Sequence, residues 1–184
     1  MAITRLGPNN SANISGINLT SQVTGTLPTG NGGTGATSFA PGKVLQVQST
    51  LLQAEFSTTS SSFVDITNMS LTITPASTSN KILLLCNTNT YQNTNQAYFA
   101  MRWERAISGG STTNIGHGTY GLTFARSAQA HDFWGGVGMT YLDSPSTTSE
   151  ITYQAQASTT GSGQVNIGVN SSDTNSIFAL EIAG

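Results

Sequence analysis

Apolar and polar residues alternate in short runs along most of the chain, from Lys43 to the C-terminal residue. The runs read KVLQVQ, LLQAEFS, SFVDIT, SLTIT, KILLLCNTNTY, AYFAMRWERAI, GTYGLTF, HDFWGGVGMTYL, EITYQAQA, QVNIGVN and SIFALEIA. Between them lie TPASTSN, SGGSTTN, DSPSTTS, STTGSG and NSSDTNS, whose residues are typical of turns. About ten short strands without an amphipathic helix predict an all-β fold, an antiparallel β-sandwich or jelly roll.

The alternation within single runs indicates which face of each strand points inward. In AYFAMRWERAI, the side chains of Phe99, Met101 and Trp103 share one face, and Tyr98 and Arg102 share the other. This pattern is typical of antiparallel sheets with one wet face. KILLLC and SIFALEI, by contrast, are apolar at every position or nearly so. We expect these two strands to be covered on both faces, the second face by a loop or by a neighbouring subunit.

Residues 1–42 follow a different pattern and carry one charged side chain, Arg5. Apolar side chains recur at strand spacing at Ile17, Leu19, Val23 and Leu27. No second strand of similar length lies nearby in sequence, so the backbone of this stripe would be unpaired within one chain. Two interpretations remain, a disordered segment or an extended arm that meets copies of itself, and the second is favoured because symmetric copies would bury the stripe.

Composition narrows the range of partners. Charged residues make up 8% of the chain and the net charge is −2, so no basic field for nucleic acid or anionic lipid is expected. No apolar run approaches the roughly 20 residues that a membrane span needs. The first residues lack the basic and apolar regions of a secretory signal, from which we expect synthesis in a cytoplasm.

The segment GNGGTG, from Gly30 to Gly35, fits the dinucleotide-binding pattern G-x-G-x-x-G, and Glu55 lies at the spacing of a ribose-binding acid. That pattern needs a strand before it and a helix after it, because the phosphate sits at the helix N-terminus. Pro28 interrupts the preceding segment, and only ATSFA separates Gly35 from Pro41. The match therefore does not predict a nucleotide site, and the glycines are interpreted as a hinge between two regions.

Other catalytic patterns are also missing from the sequence. Cys86 is the single cysteine and lies in an apolar run, which favours a buried side chain over a reactive thiol. His131 and Asp132 are adjacent, so they would point to opposite faces of a strand and are interpreted as polar residues at a loop edge, not as a metal-ligand pair. No nucleophile elbow or paired carboxylates are evident. We expect a protein that is not an enzyme and that uses no cofactor and no metal.

Exposed aromatic residues are the remaining candidates for a contact site. Most aromatics in alternating strands belong to the core, but Tyr98 lies on the polar face of its run and Trp134 stands beside glycines that cannot cover it. Tyr98 and Trp134 are therefore the candidate surface contacts, for instance by stacking on sugars.

A resemblance to a known class extends over residues 27 to 184. LPTGNGGTGATSFAPGKVLQV resembles the glycine-rich junction of bacteriophage tail and head fibre proteins, especially those of marine and cyanobacterial phages. FVDITNMSLTITPASTSNKILLL, TYLDSPSTTSEITYQAQA and IFALEIAG are similar to the jelly-roll domain that ends such proteins, a domain like the trimeric knobs of the C1q and tumour-necrosis-factor class.

The resemblance implies a homotrimeric virion protein, synthesised in the host cytoplasm and anchored to the particle through its N-terminus. On this basis residues 1–26 are the virion-attachment arm, residues 27–42 the junction and residues 43–184 the jelly-roll domain, with other virion proteins and a host-surface glycan or protein as partners. The chain is short for a host-range tail fibre, which leaves open a head fibre or a capsid decoration protein that cements capsomers. A glycan-binding or glycan-degrading protein is the third alternative.

Overall fold

The structure, a computed structural model, describes residues 44–93, 98–126, 132–160, 163–168 and 174–184. These residues belong to one compact unit, Gly42–Gly184. The predicted arm 1–26 and junction 27–42 lie outside the described residues, and so does the stripe of Ile17, Leu19, Val23 and Leu27.

The described part of the chain forms eleven β-strands. They are β1 (Val44–Leu52), β2 (Phe56–Thr58), β3 (Val64–Ile73), β4 (Lys81–Gln92), β5 (Tyr98–Ile107), β6 (Thr112–Ile115), β7 (Thr123–Arg126), β8 (Phe133–Asp143), β9 (Ile151–Thr159), β10 (Val165–Ile167) and β11 (Asn175–Ile182). No helix in the described ranges is long and apolar enough to cross a membrane. The all-β prediction is confirmed.

The strands form two antiparallel sheets. In the first sheet β1 pairs with β11 and β11 with the first half of β4, while β10 pairs with the second half of β4 and with β2. β8 pairs with the whole opposite edge of β4. In the second sheet the order is β3, β9, β5 and β6, and β7 continues the edge beside β5.

The pairing is nested in sequence, and this nesting defines the architecture. β5 pairs with β6 and β7, β4 with β8, β3 with β9, β2 with β10, and β1 with β11. The first four of these levels alternate between the two sheets, and β1–β11 lies in the same sheet as β2–β10. A long antiparallel ribbon folded in this way is a jelly roll of two packed sheets.

The core lies between the sheets and follows the alternation of the sequence. The largest fully buried side chains include Trp103, Phe99 and Met101 on β5 and Tyr153 and Ile151 on β9. They face buried residues of the first sheet such as those of β4. Apolar side chains of this size contribute about 1.5–3 kcal/mol each when buried, so this layer is the main stabilising element of the domain.

A polar contact joins the two sheets at one end of β8. The Asp143 carboxylate accepts two hydrogen bonds from Arg105 Nη1 of β5, at 2.8 and 2.9 Å, and one from the Tyr153 hydroxyl of β9 at 2.6 Å. Asp143 and Tyr153 are buried. Burial and the hydrogen bond to Asp143 raise the pKa of Tyr153, so its hydroxyl stays protonated as a donor.

Several strand boundaries differ from the sequence prediction. SFVDIT and SLTIT form one strand, β3, whose pairing shifts between Asp65 and Ser70 and which contains Asn68 at a φ of 63°. SGGSTTN was predicted as a turn, but Thr112–Ile115 forms β6 against β5. The shift within β3 is a bulge, which a strand tolerates. β6 forms through its pairing with β5, although its own polar sequence does not indicate a strand.

Candidate functional site

The two outer faces of the sandwich differ in chemistry. On the second sheet, Gln156 accepts a hydrogen bond from Arg102 Nε at 2.8 Å and donates to Asp65 at 2.8 Å and to Glu104 at 3.2 Å. The Arg102 guanidinium also lies 4.2 Å from the centre of the Phe63 ring. Gln156 points outward from β9 but is buried, because these long polar side chains cover one another. This outer face is polar and its groups are paired.

The outer face of the first sheet is apolar at one end. Val47 of β1, Leu180 of β11, Leu83 of β4 and Leu142 of β8 stand opposite one another in register and form one row across four strands. Phe178 and Leu85 form the centre of the next row, and Val44 and Ile182 lie at the near edge. Val44, Val47 and Leu142 are each about half exposed, at 49%, 54% and 48%. We call these eight residues the apolar outer face.

The apolar outer face explains the two runs that the sequence shows as apolar on both sides. On β4, Ile82 and Leu84 point into the core while Leu83 and Leu85 point outward and are only partly buried. On β11 the inward residues are fully buried and the outward ones are not. The second face of each strand therefore has no cover within the part of the chain that the structure describes.

The other end of the same outer face is aromatic and polar. Trp134 of β8 stands opposite Tyr91 of β4, with ring centres 4.2 Å apart, and Trp134 is 63% exposed. Along the same face follow the pairs Gly136–Asn89 and Gly138–Asn87, all four exposed. We call this end, with Asp132 beside it, the Trp134 surface.

Asp132 directly precedes β8, next to Tyr91 and Trp134. Its Oδ2 accepts a hydrogen bond from the Tyr91 hydroxyl at 3.0 Å. This hydrogen bond raises the pKa of Tyr91, with smaller contributions from desolvation and from the Asp132 charge. The phenol is therefore a proton donor that holds the carboxylate in place beside the indole.

A second aromatic group lies on the outer edge of the second sheet. Tyr120 is 47% exposed and its ring centre lies 5.6 Å from Tyr98, 5.5 Å from Phe124 and 5.2 Å from His117. His117 Nδ1 accepts hydrogen bonds from the backbone N–H groups of Thr119 and Tyr120, at 3.1 and 3.2 Å. The imidazole is thus held by the turn it belongs to.

The sequence-derived candidates fall into separate places. Trp134 belongs to the Trp134 surface and Tyr98 to the second aromatic group, so the structure does not bring the two together. His131 lies outside the described residues, while Asp132 contacts Tyr91. Among the described residues, no group of three His, Cys, Asp or Glu side chains could hold a metal ion.

Sequence reasoning missed the amides of Asn87 and Asn89, and it missed that Tyr91, one of several aromatic candidates, is the partner of Trp134. The signal was present as the alternation of KILLLCNTNTY, in which Asn87, Asn89 and Tyr91 share a face. Their position beside Trp134 depends on the pairing of β4 with β8, which joins residues about 50 positions apart in sequence.

Comparisons with known proteins give little further information. No protein-family model and no curated protein matches the chain. The chain is similar to a solved structure of the infectious bursal disease virus Gx strain, with 12% identity, a TM-score of 0.36 and coverage of 85% of this chain and 41% of that one. It is also similar to the VP2 subviral particle of that virus, with 13% identity, a TM-score of 0.31 and coverage of 86% and 43%.

The chain spans less than half the length of these structures. TM-scores this low carry no argument about function.

Proposed function

We propose that the chain is a virion structural protein of the phage fibre type, a homotrimer whose N-terminal arm attaches to the particle and whose jelly roll faces outward. The resemblance of the glycine-rich junction and of the strand segments to fibre proteins with a C1q-like knob supports the virion location. In this proposal the protein works by binding and assembly and catalyses no reaction.

The apolar outer face is the observation that supports self-association. Eight residues at a strand spacing of about 4.8 Å and an outward repeat of about 6.7 Å along each strand give it an area of roughly 260 Å². An exposed apolar patch of a few hundred Å² on a single chain is often a functional surface. A standard interface buries about 800 Å² on each partner, so the patch can form its centre with a polar rim around it.

A copy of the same chain is the occupant that fits this face. In the described strands the outer face of the first sheet carries one charged side chain, Lys81, at its margin. Three copies of a face with one marginal charge can meet around an axis without strong like-charge repulsion, and homomeric interfaces are the more apolar kind. The chain as a whole is poor in charge, which fits the same interpretation.

Light scattering of variants tests this assembly. Val47→Asp and Leu142→Asp each place a carboxylate in the interface at a position that is about half exposed in one chain, so the single chain should still fold. We expect the wild type to have three times the mass of one chain at micromolar concentration and both variants to dissociate. Phe124→Asp, at an equally exposed apolar residue of β7, is the matched control and should remain associated. A monomeric wild type, or variants that remain trimeric, would contradict the proposal.

Localisation on the intact particle separates the fibre from the second candidate, a capsid cement protein. Cryo-EM of the virion should show a few projecting complexes at the tail or at discrete head sites if the protein is a fibre. Copies that span capsomer junctions would instead establish the cement role. Release of reducing sugar from host polysaccharide by the purified protein would favour the enzyme alternative over both.

A further inference from the structure

The outward-facing domain in the proposed function has no assigned ligand, and the Trp134 surface is the part of it with the chemistry of a binding site. The geometry points to a site for a neutral pyranose sugar, formed by Trp134, Tyr91, Asp132 and Asn89 over a floor of glycine. The biological role of this site rests on the proposed function, but the binding itself does not depend on assembly.

The Trp134 ring is exposed to solvent and is held in place by Tyr91. Trp134 shows 63% of its surface, and Tyr91 lies against it at 4.2 Å between ring centres. The hydroxyl of Tyr91 is in turn fixed by Asp132 at 3.0 Å. An indole ring has a negative face, and the polarised C–H groups on one side of a pyranose ring pack against such a face. Trp134 thus offers a stacking surface whose support is already in place.

The floor beside Trp134 is open. Gly136 is the next residue on the same face, and among the described residues a Cβ placed there would have only the Thr88 carbonyl within 4 Å, at 3.9 Å. Glycine inside a strand marks a place where a ligand can approach the backbone closely. A flat ring stacked on Trp134 can therefore extend over Gly136 without meeting a side chain.

Hydrogen-bond donors and acceptors both surround this glycine floor. Asn87 and Asn89 are exposed, and their side-chain amides make no hydrogen bond to any residue in the described ranges. Each amide offers two donors and an acceptor, and the Asp132 carboxylate has acceptor capacity beyond its bond to Tyr91. A mixture of donors and acceptors is the complement of sugar hydroxyls, which both donate and accept.

Charge decides between neutral and anionic sugars. The charged side chain on the described strands of this outer face, Lys81, lies ten residues from Tyr91 along β4, or about 33 Å at strand spacing. Asp132 is the charge nearest to Trp134 in the site as defined here, and it would repel a carboxylated sugar. Leu85, the β4 residue of the apolar outer face nearest to Tyr91, lies six residues from it, or about 20 Å, so assembly centred on that face leaves Trp134 accessible.

Tryptophan fluorescence provides a direct test, because the chain contains two tryptophans and the other, Trp103, is fully buried. Acrylamide quenching of the native protein therefore reports on Trp134. The probes are maltotriose and lactose as neutral sugars and sialyllactose as an anionic one. We expect a neutral probe to protect Trp134 from quenching with a dissociation constant on the order of 1 mM, and sialyllactose to protect it less.

Variants locate the site by calorimetric titration with the same probes. Trp134→Ala removes the stacking surface and Gly136→Val fills the floor with a residue that strands favour, so each should weaken binding at least about tenfold. Phe124→Ala, at an equally exposed aromatic residue of the second sheet, should bind as the wild type does. Absence of protection and of binding heat with both neutral probes at about 20 mM would overturn the proposal. Binding that persists in Trp134→Ala or Gly136→Val would overturn it as well.

Light scattering of the same samples keeps this test separate from that of the proposed function. A trimer that binds no sugar contradicts only the sugar site, whereas a monomer that binds sugar contradicts only the assembly.

Discussion

Glu181 is a carboxylate buried inside the first sheet, at 1% exposure, with three hydrogen-bond donors around it. It accepts hydrogen bonds from Gln46 Nε2 at 2.6 Å, from the Ala76 backbone N–H at 2.7 Å and from Asn80 Nδ2 at 2.6 Å. Burial, the largest single influence, raises its pKa, but the hydrogen bonds from Asn80, Gln46 and Ala76 together outweigh burial and the pKa is lowered. The charged form therefore ties the segment between β3 and β4 to β1 and β11.

Replacing this carboxylate should lower stability in a pH-dependent way. A carboxyl whose pKa is lowered by folding stabilises the fold above its ordinary pKa of about 4.3, and this stabilisation is lost as the pH falls through the lowered value. We expect Glu181→Gln to cost about 1.5–3 kcal/mol in urea unfolding at pH 7. The loss should shrink on acidification, because the wild type then loses the same charge.

Glu55→Gln is the control, since Glu55 is exposed and makes no hydrogen bond within the described residues. The Glu55→Gln substitution should leave the urea midpoint unchanged both at pH 7 and at about pH 3. If the free energy of unfolding of Glu181→Gln differed from that of the wild type by the same amount from pH 7 down to about pH 3, the charge of Glu181 would have no role in stability.

At the scale of elements, the turn between β6 and β7 depends on a glycine. Gly121 has a φ of 61° and forms a bridge with His117, while the next residue, Leu122, donates its N–H to the Met101 carbonyl at 2.8 Å. A Cβ on Gly121 would overlap that carbonyl. Glycine is required here both by the left-handed backbone and by the close approach to β5.

Two alanine substitutions separate these two requirements. Gly109 also has a positive φ, 73°, but a Cβ there would have no atom within 4 Å. We expect Gly109→Ala to cost about 1 kcal/mol from backbone strain alone. Gly121→Ala should cost at least about 3 kcal/mol, because the turn must also move away from β5. Equal urea midpoints for the two variants would contradict the contact between this turn and β5.

The sequence predicted those strands whose own residues alternate between apolar and polar, and it missed those that form only through pairing with another strand. β5 was predicted with the correct inward face because large apolar side chains alternate along it, at Phe99, Met101 and Trp103. β6 was missed because Thr112, Thr113 and Asn114 show no alternation and become a strand only through pairing with β5. The residues that make this segment a strand belong to its partner, β5.

The candidate site was predictable to a smaller extent. Trp134 could be proposed from its own neighbours, since adjacent glycines leave an indole uncovered. Its contact with Tyr91 and its position beside Asn89 require the register of β4 with β8, because a slip of one residue would put Trp134 on the face opposite to Tyr91 and Asn89. That register is set by the whole sandwich, so no short segment contains it.

For the whole molecule, the central question is which part of the chain holds the proposed trimer together. The strands described here all lie in the unit Gly42–Gly184, which contains a complete two-layer core. We expect a chain shortened to this unit to unfold cooperatively in urea. Because the apolar outer face belongs to the same unit, the shortened chain should also stay trimeric in light scattering.

Incorporation into virions is the second measurement to make on the shortened chain. Without the predicted arm 1–26, the protein should no longer be incorporated into virions that are assembled in its presence. A shortened chain that is monomeric but folded would place the assembly contacts in residues 1–41 and would contradict the role of the apolar outer face. Incorporation without the arm would contradict the attachment role.

Cys86 has a practical consequence for all of these measurements. It is the one cysteine of the chain, 5% exposed in the layer between the sheets, and burial raises its pKa to about 12. Only a thiolate reacts with alkylating reagents, so the native state is protected both by inaccessibility and by protonation. Labelling must then wait for the sheets to separate, and its rate measures the free energy of that opening without denaturant. Mass spectrometry of a single adduct can therefore compare the stability of every variant proposed here under native conditions.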